Sequence, residues 1–397
     1  MAAHLEGLPE ELKLAIISCL ETETRNNVKA STTCSSATGL DVKSYSPLKQ
    51  LSLANGKWNA LVRPVLFSRM VIKFSPIRSS AIDSRSPATR FRDTLKHGLR
   101  NFESFVKNGD VTHQPDSIMV SIDPDFAELG VALDNPAQHI TDIVSMNKFW
   151  KRLFDFMDPL RLVIVAPISI LGWLTTVEMQ LTDAWAFEDM ACQTLELSQD
   201  TGTRHNDILP TSSLTESAWD TELLFRIRPW TRLTLFEGSM LQSYGYYEYF
   251  NKQPPTILRA VATPRSASLT TFHHHVVFPF NTHVADQHLI TLSFYKHIHL
   301  QYTPAKDDRV LDDPTMVGNR IDMGDCWREV EQIYRRAVSF DRPRLLGKRC
   351  RLQSFSSGDY EVESIRAILD EAFVLHARNG WVAVGPGSWV RPPPNPS

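Results

Sequence analysis

Histidine is the residue with the most chemical capacity in this chain, and it is unevenly placed. Seven of the 13 histidines lie between positions 273 and 299: His273, His274, His275, His283, His288, His297 and His299. His297 and His299 flank Ile298, so on a strand both imidazoles point the same way. Two such groups are raw material for a transition-metal site. The stretch holds no cysteine, and Asp286 is its only acid. The expectation is therefore structural or surface histidines, with no metal and no cofactor. The local signatures of nucleophilic, phosphate and zinc chemistry are missing: there is no G-x-S-x-G, no Walker A, no G-x-G-x-x-G and no H-E-x-x-H. Catalytic triads need not be local in sequence, so an enzyme with a non-local site in the later chain stays as an alternative.

Two other groups could recognise a partner. Arg335, Arg336, Arg342, Arg344, Lys348, Arg349 and Arg351 face one acid, Asp341, within residues 335–351. A helix end running into a solvated loop accounts for them; an acidic target is the functional alternative, with Arg349 and Arg351 as its contacts. Aromatic residues are dense in the later chain: Trp173, Trp185, Trp219, Trp230, Tyr244, Tyr246, Tyr247, Tyr249 and Phe250. Most belong to a core, and Tyr244, Tyr246, Tyr247 and Tyr249 form the run to watch as a target-binding surface.

These side chains need a scaffold, and the composition says which kind. A chain of 397 residues suggests two or three domains. Lys plus Arg number 42 against 45 Asp plus Glu, a formal net charge of −3. A near-neutral chain has no global pull on nucleic acid or an anionic membrane, so neither is an expected partner. Cys19, Cys34, Cys192, Cys326 and Cys350 are scattered and form no C-x-x-C pair, which argues against a disulfide framework or zinc ribbon. The one Asn-x-Ser pattern, Asn395-Pro396-Ser397, is disqualified by its proline. Glu6, Glu10 and Glu11 stand where a signal peptide would be basic. The longest apolar run, Leu162 to Leu174, is short for a bilayer and contains Pro167. The expected location is cytoplasmic, nuclear or both.

The chain divides into four parts by texture. Residues 1–74 read as a helical module with a polar insert at 21–46, too poor in apolar residues to order itself. Residues 75–117 read as a linker, rich in serine and proline, followed by a helix over 90–107. From residue 118 to 391, short β-rich runs alternate with helical stretches. The runs are 118–122, 162–165, 195–197, 233–236 and 289–292; the helices are 147–157 and 241–252. Alternation of this kind predicts an α/β architecture with a mostly parallel sheet, and an irregular leucine-rich-repeat-like solenoid is one version of it. Period-2 spacing puts Val120, Leu162, Ile164, Leu195, Leu197, Leu233 and Leu235 on the inner face. Residues 392–397, almost all proline or polar, read as a loose tail.

The first helix is the best defined by sequence. Pro9 suits a first helical position, and Glu10 and Glu11 favour the positive end of the helix dipole. Leu8, Leu12, Ile16 and Leu20 recur every four residues, while Leu14 and Ile17 lie off that stripe. A helix apolar on more than one side packs both inward and on a partner. A second helical run, 48–67, places Leu51, Ala54, Trp58 and Leu61 on one face, with a break at Asn55-Gly56 and a bend at Pro64.

Leu8-Pro9-x-Glu11-Leu12, Ile16 and Leu20, then Leu51-Ser52-Leu53-Ala54-Asn55, Trp58, Leu61, Pro64 and Leu66-Phe67, resemble the F-box of fungal F-box proteins. Phe149-Trp150-x-x-Leu153, Arg228-Pro229-Trp230 through Glu237-Gly238-Ser239, and Tyr247-Glu248-Tyr249-Phe250 are similar to later segments of such proteins. The resemblance implies a three-helix module that binds the Skp-type adaptor of a cullin–RING ubiquitin ligase, through Leu8, Pro9, Leu12, Ile16, Leu20, Leu51, Leu53 and Trp58. It also implies a later region that presents a protein target, and no bond chemistry. The departure from the family is the insert, because members join these helices by a few residues. A tolerated surface loop, a retained intron and a decayed, purely structural F-box are the three accounts of it.

Overall fold

The computed structural model describes residues 8–19, 47–76, 86–108, 114–126, 140–180, 187, 192–200, 221–246, 253–284, 291, 294–305, 310–312, 317, 320–339, 352–377 and 380–391. Among the described residues, ten strands form one sheet: β1 Arg69–Phe74, β2 Ser117–Ile122, β3 Arg161–Ala166, β4 Gln193–Ser198, β5 Arg232–Ser239, β6 Thr271–Val277, β7 His297–Gln301, β8 Ser354–Ser357, β9 Val382–Gly385 and β10 Ser388–Val390. Their spatial order follows the chain except at the end, where β10 lies between β8 and β9. The β1–β2–β3 and β5–β6–β7–β8 runs are parallel. β4 runs antiparallel to both β3 and β5, and β10 antiparallel to β8 and β9.

The helices include α1 (residues 10–19), α2 Pro47–Ser52, α3 Gly56–Phe67, α4 Pro87–Asn108, α5 Ile140–Phe156, α6 Ile168–Thr175, α7 Leu258–Val261, α8 Met323–Ala337 and α9 Glu363–His376. A parallel pair needs a crossover, and α4 supplies it between β1 and β2 as α5 does between β2 and β3. The buried residues of α4, α5, α6, α8 and α9 join the inner positions of the strands in one core. All seven predicted inner positions are buried: Val120, Leu162, Ile164, Leu195, Leu197, Leu233 and Leu235 are each at most 1% exposed. Alternating burial along β1, β2, β4, β6 and β7 shows the physical cause, a sheet that buries one face against helices.

Two expectations about boundaries are corrected. The α/β unit begins at Arg69, since β1 pairs with β2 over its full length; a module ending at residue 74 would cut this strand away. Residues 87–108 are no appendage to a linker either. Phe91, Leu95, Leu99 and Phe102 of α4 are in the main core, and α4 lies so close to β1 that a methyl group at Gly98 would collide with the Phe74 ring.

Two local expectations also differ. Thr291 is helical, so the run at 289–292 is no strand there; its other residues lie outside the described ones. The strands are instead β6, hidden by His273-His274-His275, and β7. A helix over 241–252 reduces to a 3-10 turn at Leu241–Gly245, and 247–252 lie outside the described residues. Among the described residues, no helix is long and apolar enough to cross a membrane.

Candidate functional site

The N-terminal helices build a small core of their own. Ile17, Leu48, Trp58 and Val62 are buried together, with Ile16, Leu51, Leu61, Val65 and Leu66 packed around them. The Asn55 side chain caps α3 by accepting the Trp58 N–H at 2.9 Å, which fixes where the indole enters the core. Lys13 places its ammonium 5.9 Å from the Trp58 ring centre. Phe67, at the end of α3, meets Phe105 of α4 edge-on at 5.9 Å and so ties this module to the α/β unit.

The predicted adaptor contacts divide on this geometry. Leu12 is 52% exposed and Leu53 77%; Pro9 is exposed, and Leu8, Ile16 and Leu51 are half-buried. Leu20 lies outside the described residues. Trp58 is only 2% exposed, so it is core and offers a partner no surface. Ile17, off the predicted stripe, is the inward residue of α1, and Leu14, also off that stripe, is 48% exposed. The i, i+4 spacing located the apolar stripe but not which side the neighbouring helices would cover.

The predicted target contacts fare differently. Tyr244 is buried; its ring lies 4.5 Å from Phe280, and its hydroxyl donates to the Pro279 carbonyl at 3.2 Å. It holds the fold and is corrected from surface to core. Tyr246 is half-buried, whereas Tyr247, Tyr249, Arg349 and Arg351 lie outside the described residues. Two of the segments that carried the later resemblance, 149–153 and 228–239, are framework, and the third, 247–250, lies outside the described residues. The Trp150 indole donates to the Leu174 carbonyl at 2.7 Å and that of Trp230 to the Leu224 carbonyl at 2.9 Å. The Arg228 guanidinium is buried, pairs with Asp158, and lies 4.8 Å above the Phe154 ring.

Sequence reasoning missed a buried polar cluster at the carboxyl ends of β5–β8. Glu237 Oε2 lies 2.6 Å from His274 Nε2 and 2.9 Å from His283 Nε2, and Thr256 donates its hydroxyl to Oε1. An ionised carboxylate only accepts, so both Nε2 atoms carry protons. His274 Nδ1 meets the Tyr302 hydroxyl at 3.2 Å. Burial pushes the Glu237 carboxyl up, but attraction to His283 and His274 outweighs it and holds the group well below the usual carboxylate range.

Tyr302 leads into a second cluster. Asp359 accepts from the Tyr302 and Thr303 backbone N–H groups at 2.6 and 3.1 Å, and from the Thr303 and Tyr334 hydroxyls at 2.6 Å each. Burial raises the Asp359 carboxyl, against those four hydrogen bonds. Glu237 and Asp359 are each 1% exposed and His274 and Tyr302 0%. Such groups join the strand ends to one another and cannot touch a substrate in this conformation. The only sequence signal was Glu237 continuing the period-2 phase of Leu233 and Leu235, an acid where the pattern asks for an apolar residue.

On the opposite face of the sheet, His297 and His299 do point one way, as the spacing around Ile298 implied, and His273 and His275 share that face. His297 Nδ1 is 2.8 Å from the Ser354 hydroxyl and His299 Nδ1 2.9 Å from that of Ser356. The ring of His299 lies 5.1 Å from that of His273 and 5.2 Å from that of His275. Burial and the nearby Arg232 lower the His299 pKa to about 4, and burial, His299 and Arg232 lower that of His273 to about 3. Among the described residues, no three His, Cys, Asp or Glu side chains are grouped to hold a metal ion.

No family model, no curated protein and no solved structure matches this chain.

Proposed function

We propose that the chain is the target receptor of a Skp–cullin–RING ubiquitin ligase, with α1–α3 as an F-box that docks the adaptor and the α/β unit as the part that presents a protein target. The observation that carries this reading is the behaviour of α1–α3. They close a core around Ile17, Leu48, Trp58 and Val62 and still leave Leu12, Leu14 and Leu53 about half or more exposed. Exposed apolar side chains on a helical module favour a partner that buries them, in a helix-in-groove mode. The receptor does no bond chemistry; it raises the target's effective concentration near the ligase. The sealed state of the Glu237 and Asp359 clusters supports a scaffold over the enzyme alternative.

The same reading takes the sheet as an irregular leucine-rich-repeat-like array. Strands laid down in chain order support it, while the reversal of β4 departs from a regular repeat. The test is adaptor capture by the full chain against a Leu12→Asp, Leu53→Asp double variant. Both side chains are exposed, so the fold should be unaffected. Adaptor affinity should fall by on the order of 2–4 kcal/mol. Equal capture by both proteins rejects the F-box reading.

A further inference from the structure

The face of the sheet away from the helices carries a polar patch on β5, β6 and β7. Strand register places Arg232, Thr271 and His297 in one row across the three strands, and Thr234, His273 and His299 in the next. All six side chains are polar, Arg232 is permanently charged, and none is acidic. Arg232 is exposed, Thr271 and the three histidines are half-buried, and Thr234, at 4%, forms the floor. Among the described residues, the Arg232 guanidinium makes no ion pair and no hydrogen bond. Glu196, opposite Thr234 on β4, is already engaged by Arg161 at 2.5 Å. Lys296 and Asp200 act on His297 in opposite senses. His297 and His299 each turn Nδ1 to a β8 serine, at 2.8 and 2.9 Å, which leaves Nε2 for a ligand.

We propose that this patch binds a compact phosphate-type oxyanion, held by the Arg232 guanidinium together with His273 and His299. The charge already present sets the sign of the ligand. Arg232 acts on both imidazoles as a like charge and, with burial, keeps them unprotonated. A metal ion would add to that repulsion. An anion reverses it: it attracts the guanidinium and lets the imidazoles take up protons, so that each donates to it. The geometry allows one ion to meet all three groups. Positions diagonal to one another on neighbouring strands are about 7–8 Å apart, within reach of a long side chain, and the His273 and His299 rings are 5.1 Å apart. Donors arriving from three strands suit the several oxygens of a tetrahedral oxyanion better than the single plane of a carboxylate. A small free ion is favoured over a phosphorylated chain, because the imidazoles and Thr234 are recessed relative to Arg232. The site does not involve α1–α3, so it stands or falls separately from adaptor docking.

Sulfate keeps both its charges over the range in which histidine titrates, about pH 5 to 8, and so serves as the probe. Isothermal titration of the full chain at constant ionic strength should show one sulfate bound, in competition with inorganic phosphate. Binding should be tighter at about pH 5.5 than at about pH 7.5, with protons drawn from the buffer. Arg232→Gln should weaken it at least tenfold at the higher pH, whereas Lys73→Gln, on the same face at the far edge, should leave it unchanged. His273→Gln combined with His299→Gln should remove the proton uptake. Where that double variant fails to fold, Arg232→Gln still reads the site, because the side chain it replaces is exposed. Absence of saturable binding at millimolar sulfate overturns the proposal. So does binding undiminished by Arg232→Gln, an equal loss with Lys73→Gln, or binding that takes up no proton.

Discussion

Glu237 offers the sharpest test of whether the buried cluster is architecture. Its carboxylate accepts from His274, His283 and Thr256, and all four side chains are buried. Glu237→Ala leaves three buried donors without an acceptor and opens a cavity. Each orphaned donor costs about 1–3 kcal/mol, but the losses overlap, because the imidazoles can turn and His274 keeps Tyr302. The net cost should be about 3–5 kcal/mol, as for breaking a buried charged pair. That is a large part of a typical stability of about 5–15 kcal/mol. Glu237→Gln keeps the volume and one oxygen with two lone pairs, so only the charge-assisted part is lost, about 1–3 kcal/mol.

Urea unfolding of the full chain at pH 7, followed by tryptophan fluorescence, ranks the two variants. Hydrogen exchange of the β5–β8 amides shows whether the loss is centred on those strands. The carboxyl is depressed in the fold, so its stabilisation is present above about pH 4.5 and is lost as pH falls; Glu237→Gln should soften the acid limb of the stability profile. A Glu237→Ala variant within about 1 kcal/mol of the parent would refute the structural role and reopen the enzyme reading, in which this group must meet a ligand.

His299 titrates in the same direction over a different window. Its folded pKa, lowered to about 4, lies below an unfolded value near 6.5, so the unfolded chain binds the extra proton between them. Stability is full above about pH 6.5 and falls toward pH 4 by at most about 1.4 kcal/mol per pH unit; His299→Gln should flatten that slope in equilibrium unfolding. Gly98→Ala should destabilise by about 1–3 kcal/mol through overpacking against Phe74, read as a lowered melting temperature, whereas the same change at Gly56, which meets no neighbour, should leave it nearly unchanged. Arg228→Ala strips Asp158 of its partner and Phe154 of its cation and should cost about 1–3 kcal/mol, since the remaining Asp158 carboxylate is 35% exposed and can be rehydrated, with Arg228→Met less damaging because it refills the space.

The sequence by itself determined which strands exist wherever apolar residues alternate or run together. Leu162 to Val165, Leu195 to Leu197 and Leu233 to Leu235 are legible because period-2 burial against one layer of helices leaves that trace. It also located the N-terminal helices, through Pro9, the acids of the first turn and the four-residue leucine spacing. It failed at β6 and β7, where His273-His274-His275 and His297-Ile298-His299 carry polar side chains on the face away from the helices, and His274 itself is buried by virtue of Glu237.

Only the tertiary structure decided which polar groups are inside. Glu237, His274, His283, Tyr302 and Asp359 come from five separate stretches of chain, and local pattern holds no record of who meets whom. It also chose the inward side of α1. Ile17 is buried and Leu12 exposed because α2 and α3 approach from Ile17's side, a contact that bridges the whole insert. Trp58 and Tyr244 look alike in sequence to aromatics that bind partners. They became core because a neighbouring element covers them, and coverage is a property of the assembled fold.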